Sequence, residues 1–188
     1  VRPEIISFLN RLSDLLYVLA RQEVMAELVQ QVTDRVQARL TGSHRSSMAA
    51  LNLAMARELT RAAESKAQEL GVPVVTAVVN AGGNLISLAR QDDALLGSID
   101  LAWGKAYTAA ALKMPTHELA KLTQPGAALY GIEVSNQGRL VVFGGGFPLR
   151  CGHQVVGGLG VSGGKVDQDM AIAKAAVKWW EEALQRGN

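Results

Sequence analysis

Residues 139–165, RLVVFGGGFPLRCGHQVVGGLGVSGGK, carry the pattern that decides the fold. Nine of the chain's 19 glycines fall in this stretch, together with its single cysteine, Cys151, and one of its three histidines, His153. Two short apolar runs, Leu140–Phe143 and Gln154–Val161, flank a turn rich in glycine and proline. The pattern predicts a β-hairpin that passes directly into a helix.

The glycines of this stretch raise the question of a phosphate-binding loop. Gly158, Gly160 and Gly163 match G-x-G-x-x-G, but only one helix follows, so no second parallel strand carries the acidic ribose contact. The P-loop pattern also fails. Leu159 occupies the position where that pattern has its first glycine, and Val166 occupies the position where it has Ser or Thr. We favour tight packing of strand against helix as the role of these glycines, and a non-nucleotide ligand against this backbone stays open.

The elements before the hairpin predict the fold class. From residue 48 onward the pattern predicts, in order, helix, strand, strand, helix and short helix, then the hairpin and a last helix: 48–70, 73–79, 85–89, 95–113, 116–122, the two hairpin strands and 167–185. The turn Asn80–Asn84 joins the first two strands as a hairpin. Two hairpins imply a largely antiparallel sheet with helices packed on it, which is the α+β class.

A long helix is predicted at residues 3–40, because apolar side chains recur there at helical spacing. One stripe of it is polar, which fits a solvated face better than the wall of a polar site: Asn10, Asp14, Tyr17 and Arg21. Residues 41–47 contain Gly42 and several serines and predict a linker. The expected organisation is therefore a helix at 1–40, a linker at 41–47 and a domain at 48–188.

Composition and charge exclude several classes of function. The formal net charge is +2 without a basic run, which argues against nucleic-acid binding. No apolar run is long enough to span a membrane, and polar residues interrupt Ile5–Ala20, so no signal peptide is predicted. A single cysteine fits a reducing, cytoplasmic compartment. The first residue is Val1 rather than Met, which we interpret as a fragment or a processed product.

The three histidines and the cysteine are the candidate ligands. His44 lies in the linker, where simple exposure is the favoured alternative. His117 lies in a predicted first turn, where the helix dipole leaves a neutral, metal-binding imidazole available, but local capping or surface exposure explains this histidine better. Cys151 and His153 would point to one face if their segment is extended. A zinc site needs three or four ligands, whereas a porphyrin or corrin needs one or two axial ligands. No Ser-His-Asp, HExxH or paired-carboxylate pattern predicts a catalytic site.

Two stretches resemble a known family. PEIISFLNRLSDLLYVLAR, within residues 1–23, is similar to the last helix of the PduO-type ATP:cob(I)alamin adenosyltransferase domain. Residues from about 48 to 184 resemble the C-terminal domain of that family, which belongs to the GlcG/HbpS-like (DUF336) group. The motifs that carry this resemblance are GVPVVTAVVNAGGNLISLARQDDA, SIDLAWGKAYTAAALKMPTHEL, PGAALYGIE, VVFGGGFPL and VVGGLGVSGGKVDQDMAIA.

The resemblance implies a function for the C-terminal part. It implies a homo-oligomer with an antiparallel sheet flanked by helices, and a tetrapyrrole-binding accessory domain, for haem or a corrinoid such as cobalamin. A histidine near the start of the domain takes part in haem binding in some members, so His44 is the expected ligand to haem iron. The other candidate contacts to the cofactor are Cys151, His153, His117, Gly144, Gly145 and Gly146.

The resemblance also implies a partner domain, the helical bundle of the adenosyltransferase. On the matching motif, Asn10 is an ATP-side contact, with Arg11 and Asp14 near the site. The glycine-rich ATP loop and the arginine-rich helix of that bundle are absent from these residues. We therefore expect ATP binding and adenosyl transfer only from an intact parent protein. The alternatives are an oligomerisation domain without a ligand, and an enzyme acting on a small metabolite in glycolate or propanediol metabolism.

Overall fold

The structure, a computed structural model, describes residues 51–186 together with residues 11–13, 17, 25, 29–31, 33 and 34. The described residues of the N-terminal part are helical and exposed. Contacts divide the chain into two compact units, Val1–Ser46 and Ser47–Asn188. The predicted linker at 41–47, with His44, lies outside the described residues.

The second unit contains four helices and four strands among its described residues. In chain order they are α1 (Leu53–Leu70), β1 (Val75–Asn80), β2 (Leu85–Arg90), α2 (Ser98–Leu112), α3 (Thr116–Leu122), β3 (Gly146–Cys151), β4 (Gln154–Ser162) and α4 (Val166–Arg186). Two short 3-10 turns, Ile132–Val134 and Asn136–Gly138, lie between α3 and β3. No helix of the described residues combines the length and the apolar character that a bilayer crossing requires.

The strands form one antiparallel sheet in the order β2-β1-β4-β3. The predicted α+β class with an antiparallel sheet is therefore confirmed. α1 begins after Asn52, whose side-chain oxygen accepts the N–H of Met55 at 2.9 Å, and ends at Gly71 in the left-handed conformation (φ 64°). The end predicted at Gly71 is correct, whereas this helix begins at Leu53 rather than at residue 48.

The second hairpin is shifted from its predicted position. The apolar run Leu140–Phe143 is not a strand, and the glycine-proline segment that follows supplies β3 instead of the turn. The physical reason is that the run crosses α2, where the N–H of Val141 donates to the hydroxyl of Thr108 at 2.9 Å. Pro148 is tolerated because β3 lies at the edge of the sheet, where the missing N–H removes no hydrogen bond from the ladder.

Helices cover both faces of the sheet. On one face α1 and α4 pack over a core that includes Val78, Leu159 and Trp180. On the other face α2 packs with its small side chains against Val75 and Val79. The sheet is thus the middle layer of a three-layer domain.

Gly158 and Gly160 of β4 bring α2 into direct contact with the sheet. A Cβ at Gly160 would lie well inside 3.0 Å of the carbonyl oxygen of Ala102, and one at Gly158 would meet the carbonyl oxygen of Ala106 in the same way. Two glycines of the G-x-G-x-x-G match therefore face the helix backbone and not a phosphate.

Candidate functional site

A groove of about 510 Å³ lies at one end of the sheet, beside the first residues of α1. We call it the α1 groove. Its walls come from the residues before α1, the β1–β2 turn and the start of β4. Apolar and polar side chains line it: Leu51, Ile86 and Val156, and Asn52, Asn80 and Gln154. Its volume lies within the range of small-molecule sites, about 300–1,000 Å³.

Among the described residues, no charged side chain lines the α1 groove. Asn80 is fixed by its side-chain oxygen, which accepts the N–H groups of Gly82 at 2.9 Å and Asn84 at 3.0 Å. The side-chain oxygen of Asn52 is engaged in capping α1. The two amide groups therefore offer their NH₂ donors from fixed positions, in a groove with apolar walls. This chemistry suits a mainly apolar ligand held by few polar contacts.

His44, the histidine expected to bind haem iron, lies outside the described residues.

Cys151 lies directly before a tight turn, and His153 is the second residue of that turn. Gly152 has φ 58°, and Cys151 pairs with Gln154 across Gly152 and His153, as in a two-residue hairpin turn with glycine first. The extended segment that would place both side chains on one face is therefore not present. His153 is exposed next to Gln154 of the α1 groove, whereas Cys151 is half-buried and packs against the core under α4.

His117 lies in the first turn of α3, as predicted from the sequence. Its ring centre is 5.5 Å from that of Phe147, and its Nδ1 atom is buried without a hydrogen-bond partner among the described residues. It is not among the residues that line the α1 groove. The structure thus keeps the two described histidines, His117 and His153, in separate surroundings.

Gly144, Gly145 and Gly146 are buried against protein atoms. A Cβ at Gly144 would lie 2.6 Å from the sulfur of Met170. A Cβ at Gly145 would lie 2.8 Å from Nζ of Lys105, and a Cβ at Gly146 would lie 2.5 Å from the carbonyl oxygen of the same lysine. α2 and α4 therefore occupy the space that a ligand would need beside these three glycines.

The residues expected on the ATP side lie in the N-terminal part. Arg11 is helical and exposed, and Asn10 and Asp14 lie outside the described residues.

A buried ion pair, which the sequence does not predict, joins Lys105 of α2 to Asp169 of α4. Nζ of Lys105 lies 2.7 Å from Oδ2 of Asp169 and 2.9 Å from the carbonyl oxygen of Val161, and the two side chains are 0% and 3% exposed. The other carboxylate oxygen accepts the N–H of Gly164 at 2.9 Å. The pair thereby joins two helices and β4 beside the three glycines. The feature of the sequence that could have indicated this pair is a lysine inside an alanine-rich helix that packs closely.

Burial lowers the pKa of the Lys105 amine below its ordinary value of 10.5, and the hydrogen bond and charge of Asp169 oppose this effect. Between the lowered pKa and 10.5 the unfolded chain binds more protons than the folded chain, so the free energy of unfolding should rise with pH there. We expect urea unfolding at a series of pH values to show this rise in the native protein. In the double variant Lys105→Met/Asp169→Leu, the free energy of unfolding should lack this rise with pH. If it changes with pH in the same way in the two proteins, the prediction for Lys105 is contradicted.

Comparison with known proteins places this architecture among relatives. Residues 51–178 match the family model of the haem degrading protein HbpS-like group. The corrinoid adenosyltransferase PduO of Citrobacter freundii is 46% identical over 182 residues, which cover 94% of this chain and 54% of that protein. The chain thus spans about half the length of this relative.

Two further relatives match the second unit over nearly their whole length. A 15.0 kDa protein in the dhaT-dhaS intergenic region of Citrobacter freundii is 46% identical over 135 residues, which cover 72% of this chain and 95% of that protein. The crystal structure of a PduOC:Heme complex superposes with a TM-score of 0.66 at 51% identity, covering 68% of this chain and 93% of that chain. The similarity therefore extends over most of the domain that contains the α1 groove.

Proposed function

Because the chain belongs to the HbpS-like family, we propose that residues 48–188 form a haem-binding accessory domain of a corrinoid adenosyltransferase. The observation that carries the proposal is the 51% identity to the chain of the PduOC:Heme complex, over 93% of that chain. The wider proposal, a tetrapyrrole site that also accepts a corrinoid, rests on the relative named corrinoid adenosyltransferase PduO.

The α1 groove is the proposed haem site. Its apolar walls from Leu51, Ile86 and Val156 suit the faces of a macrocycle, and its volume of about 510 Å³ suits a ligand of that class. Axial ligation needs only one or two side chains, and His44 is the proposed ligand to the iron because the family resemblance implies a histidine near the start of the domain. Bound haem would supply an iron centre, and the residues of the groove would hold and orient its ring.

The remaining parts of the proposal concern the intact protein. We place ATP binding and adenosyl transfer in the helical-bundle domain, to which residues 1–40 would contribute the last helix with Asn10, Arg11 and Asp14. The domain at 48–188 would then add a tetrapyrrole site to that enzyme, in a cytoplasmic homo-oligomer. The similarity to a relative almost twice as long as this chain supports this division.

Titration with haemin tests the haem site. We expect the native chain to develop a shifted Soret band, and His44→Ala to bind haem about tenfold more weakly or worse, the effect of losing about 1.4 kcal/mol. His117→Ala and His153→Ala are the matched controls and should keep the native affinity. Absence of a spectral change in the native chain would overturn the proposal, and unchanged binding by His44→Ala would remove this residue from it.

A substitution in the exposed β1–β2 turn tests the location. Ala81 is an exposed lining residue of the α1 groove, so Ala81→Trp should fill part of it and weaken haem binding without disturbing the core. Ser135→Trp, also at an exposed loop position, is the control and should bind haem as the native chain does. Equal affinities in the two variants would place the ligand elsewhere.

A further inference from the structure

The side chain of Arg139 lies over two aromatic rings of α2. Its Cζ atom is 3.9 Å from the centre of the Tyr107 ring and 5.2 Å from the centre of the Trp103 ring. Both distances are within the range of cation–π attraction, about 6 Å. The two aromatic residues are four positions apart, so they share one face of the helix. This face is on the side of the sheet that α2 covers, whereas the α1 groove adjoins the core under α1 and α4.

The support beneath the guanidinium is fixed from two sides. Next to Arg139, the N–H of Val141 donates to Thr108 of α2, and a Cβ at Gly104 would lie 3.2 Å from the carbonyl oxygen of Arg139. The backbone of Arg139 is thus held closely against the helix. The Tyr107 ring is backed by Gly83, where a Cβ would lie 2.6 Å from Cδ2 of the ring. The ring therefore has little freedom to move away from Arg139.

Stacking uses the flat face of the guanidinium and leaves the N–H groups at its edge. Among the described residues, the arginines that donate side-chain hydrogen bonds are Arg61, Arg90 and Arg150. The ion pairs within the same part of the chain also leave Arg139 out. Arg139 is exposed, and so is Trp103, at 37%. Within the part of the chain that the structure describes, a positioned cation with unused donors therefore faces solvent next to an exposed indole.

We propose that Arg139, Tyr107 and Trp103 form a binding site for a single carboxylate carried on a flat ring. The edge of a guanidinium matches the two oxygens of a carboxylate with parallel hydrogen bonds, which a lysine cannot reproduce. The exposed indole offers a surface on which the ring of the ligand stacks. Asp100, one helical turn before Trp103, disfavours a ligand of high negative charge, so the site takes one carboxylate and not a polyphosphate.

Benzoate is the probe, and nuclear magnetic resonance of the tryptophan side-chain N–H groups is the measurement. We expect benzoate to shift the Trp103 signal in a saturable way at millimolar concentration. The Trp180 signal is the internal reference, because its N–H is buried and donates to the carbonyl oxygen of Arg150 at 2.8 Å. Benzamide has the same shape without the charge and should cause a much smaller shift.

Two variants separate the charge from the stacking geometry. Arg139→Gln should abolish the benzoate response, and Arg139→Lys, which keeps the charge, should weaken it several-fold. Both changes are at an exposed position, and the unchanged Trp180 signal would report that the fold is kept. The proposal is overturned if benzoate leaves Trp103 unshifted, if benzamide acts equally well, or if Arg139→Gln responds like the native chain.

The carboxylate could come from a free small molecule or from the propionate of a tetrapyrrole. Repeating the titration with the chain loaded with diamagnetic zinc protoporphyrin distinguishes the two sources. Loss of the benzoate response after loading supports the site with a propionate as its occupant, and it places the macrocycle beside α2 and not in the α1 groove. Retention of the response supports the site with a separate carboxylate ligand, independent of the α1 groove.

Discussion

Replacing Gly160 by alanine should destabilise the domain by about 3 kcal/mol or more, at or beyond the upper end of ordinary overpacking. The new Cβ would lie 2.6 Å from the backbone N of Ala106 and still closer to the carbonyl oxygen of Ala102. Both atoms belong to the backbone of α2, so no side-chain rotation relieves the clash. The helix would have to move away from the sheet, and the small residues packed between them would lose contact.

Gly97→Ala is the matched control for this prediction. Gly97 precedes α2 with φ −62° and has open space where a Cβ would stand, so alanine should be neutral or stabilise the fold by about 0.4–1 kcal/mol. Urea unfolding of the two variants and the native chain gives the comparison. A midpoint for Gly160→Ala equal to that of Gly97→Ala would contradict close packing of α2 on β4. Failure of Gly160→Ala alone to yield folded protein would agree with it.

The parts of the fold that follow from local pattern were predictable from the sequence. The turn Asn80–Asn84 and the stop at Gly71 depend on residues next to each other in the chain, and both are where the pattern places them. The strand predicted at Leu140–Phe143 is wrong. The backbone N–H groups of an apolar run can donate hydrogen bonds to a side chain of a helix as well as to a neighbouring strand. The hydroxyl of Thr108, 33 residues away, decides between the two.

The candidate sites depend on residues far apart in the chain, which explains why the sequence did not reveal them. Three separate segments, around Leu51, Asn80 and Gln154, build the α1 groove, and none of them carries a ligand motif. Lys105 and Asp169 are 64 residues apart, and nothing local to either predicts the partner. The glycines between 144 and 146 were visible as a cluster, but only the packing of α2 and α4 shows which atoms they face.

Replacing Asp169 by asparagine should be the most damaging single change to the polar interior. Asparagine has the same shape, so the carbonyl oxygen can still accept the N–H of Gly164, but its NH₂ group would face Nζ of Lys105. Removing one partner of a buried pair leaves an uncompensated charge and costs about 3–5 kcal/mol. Domains of this kind have total stabilities of about 5–15 kcal/mol, so the loss is a large share.

Glu69→Gln makes the same chemical change in the exposed pair between Lys66 and Glu69, and it should cost about 1 kcal/mol or less. Adding Lys105→Met to Asp169→Asn should restore much of the lost stability, because the unpaired charge is then gone and the double variant departs from additivity. The stability of Asp169→Asn alone should also recover as pH rises, since deprotonation removes the charge on Lys105. The measurement is the urea midpoint of each variant. If Asp169→Asn lowers the free energy of unfolding as little as Glu69→Gln does, Lys105 does not depend on Asp169. In that case apolar packing alone joins α2 and α4.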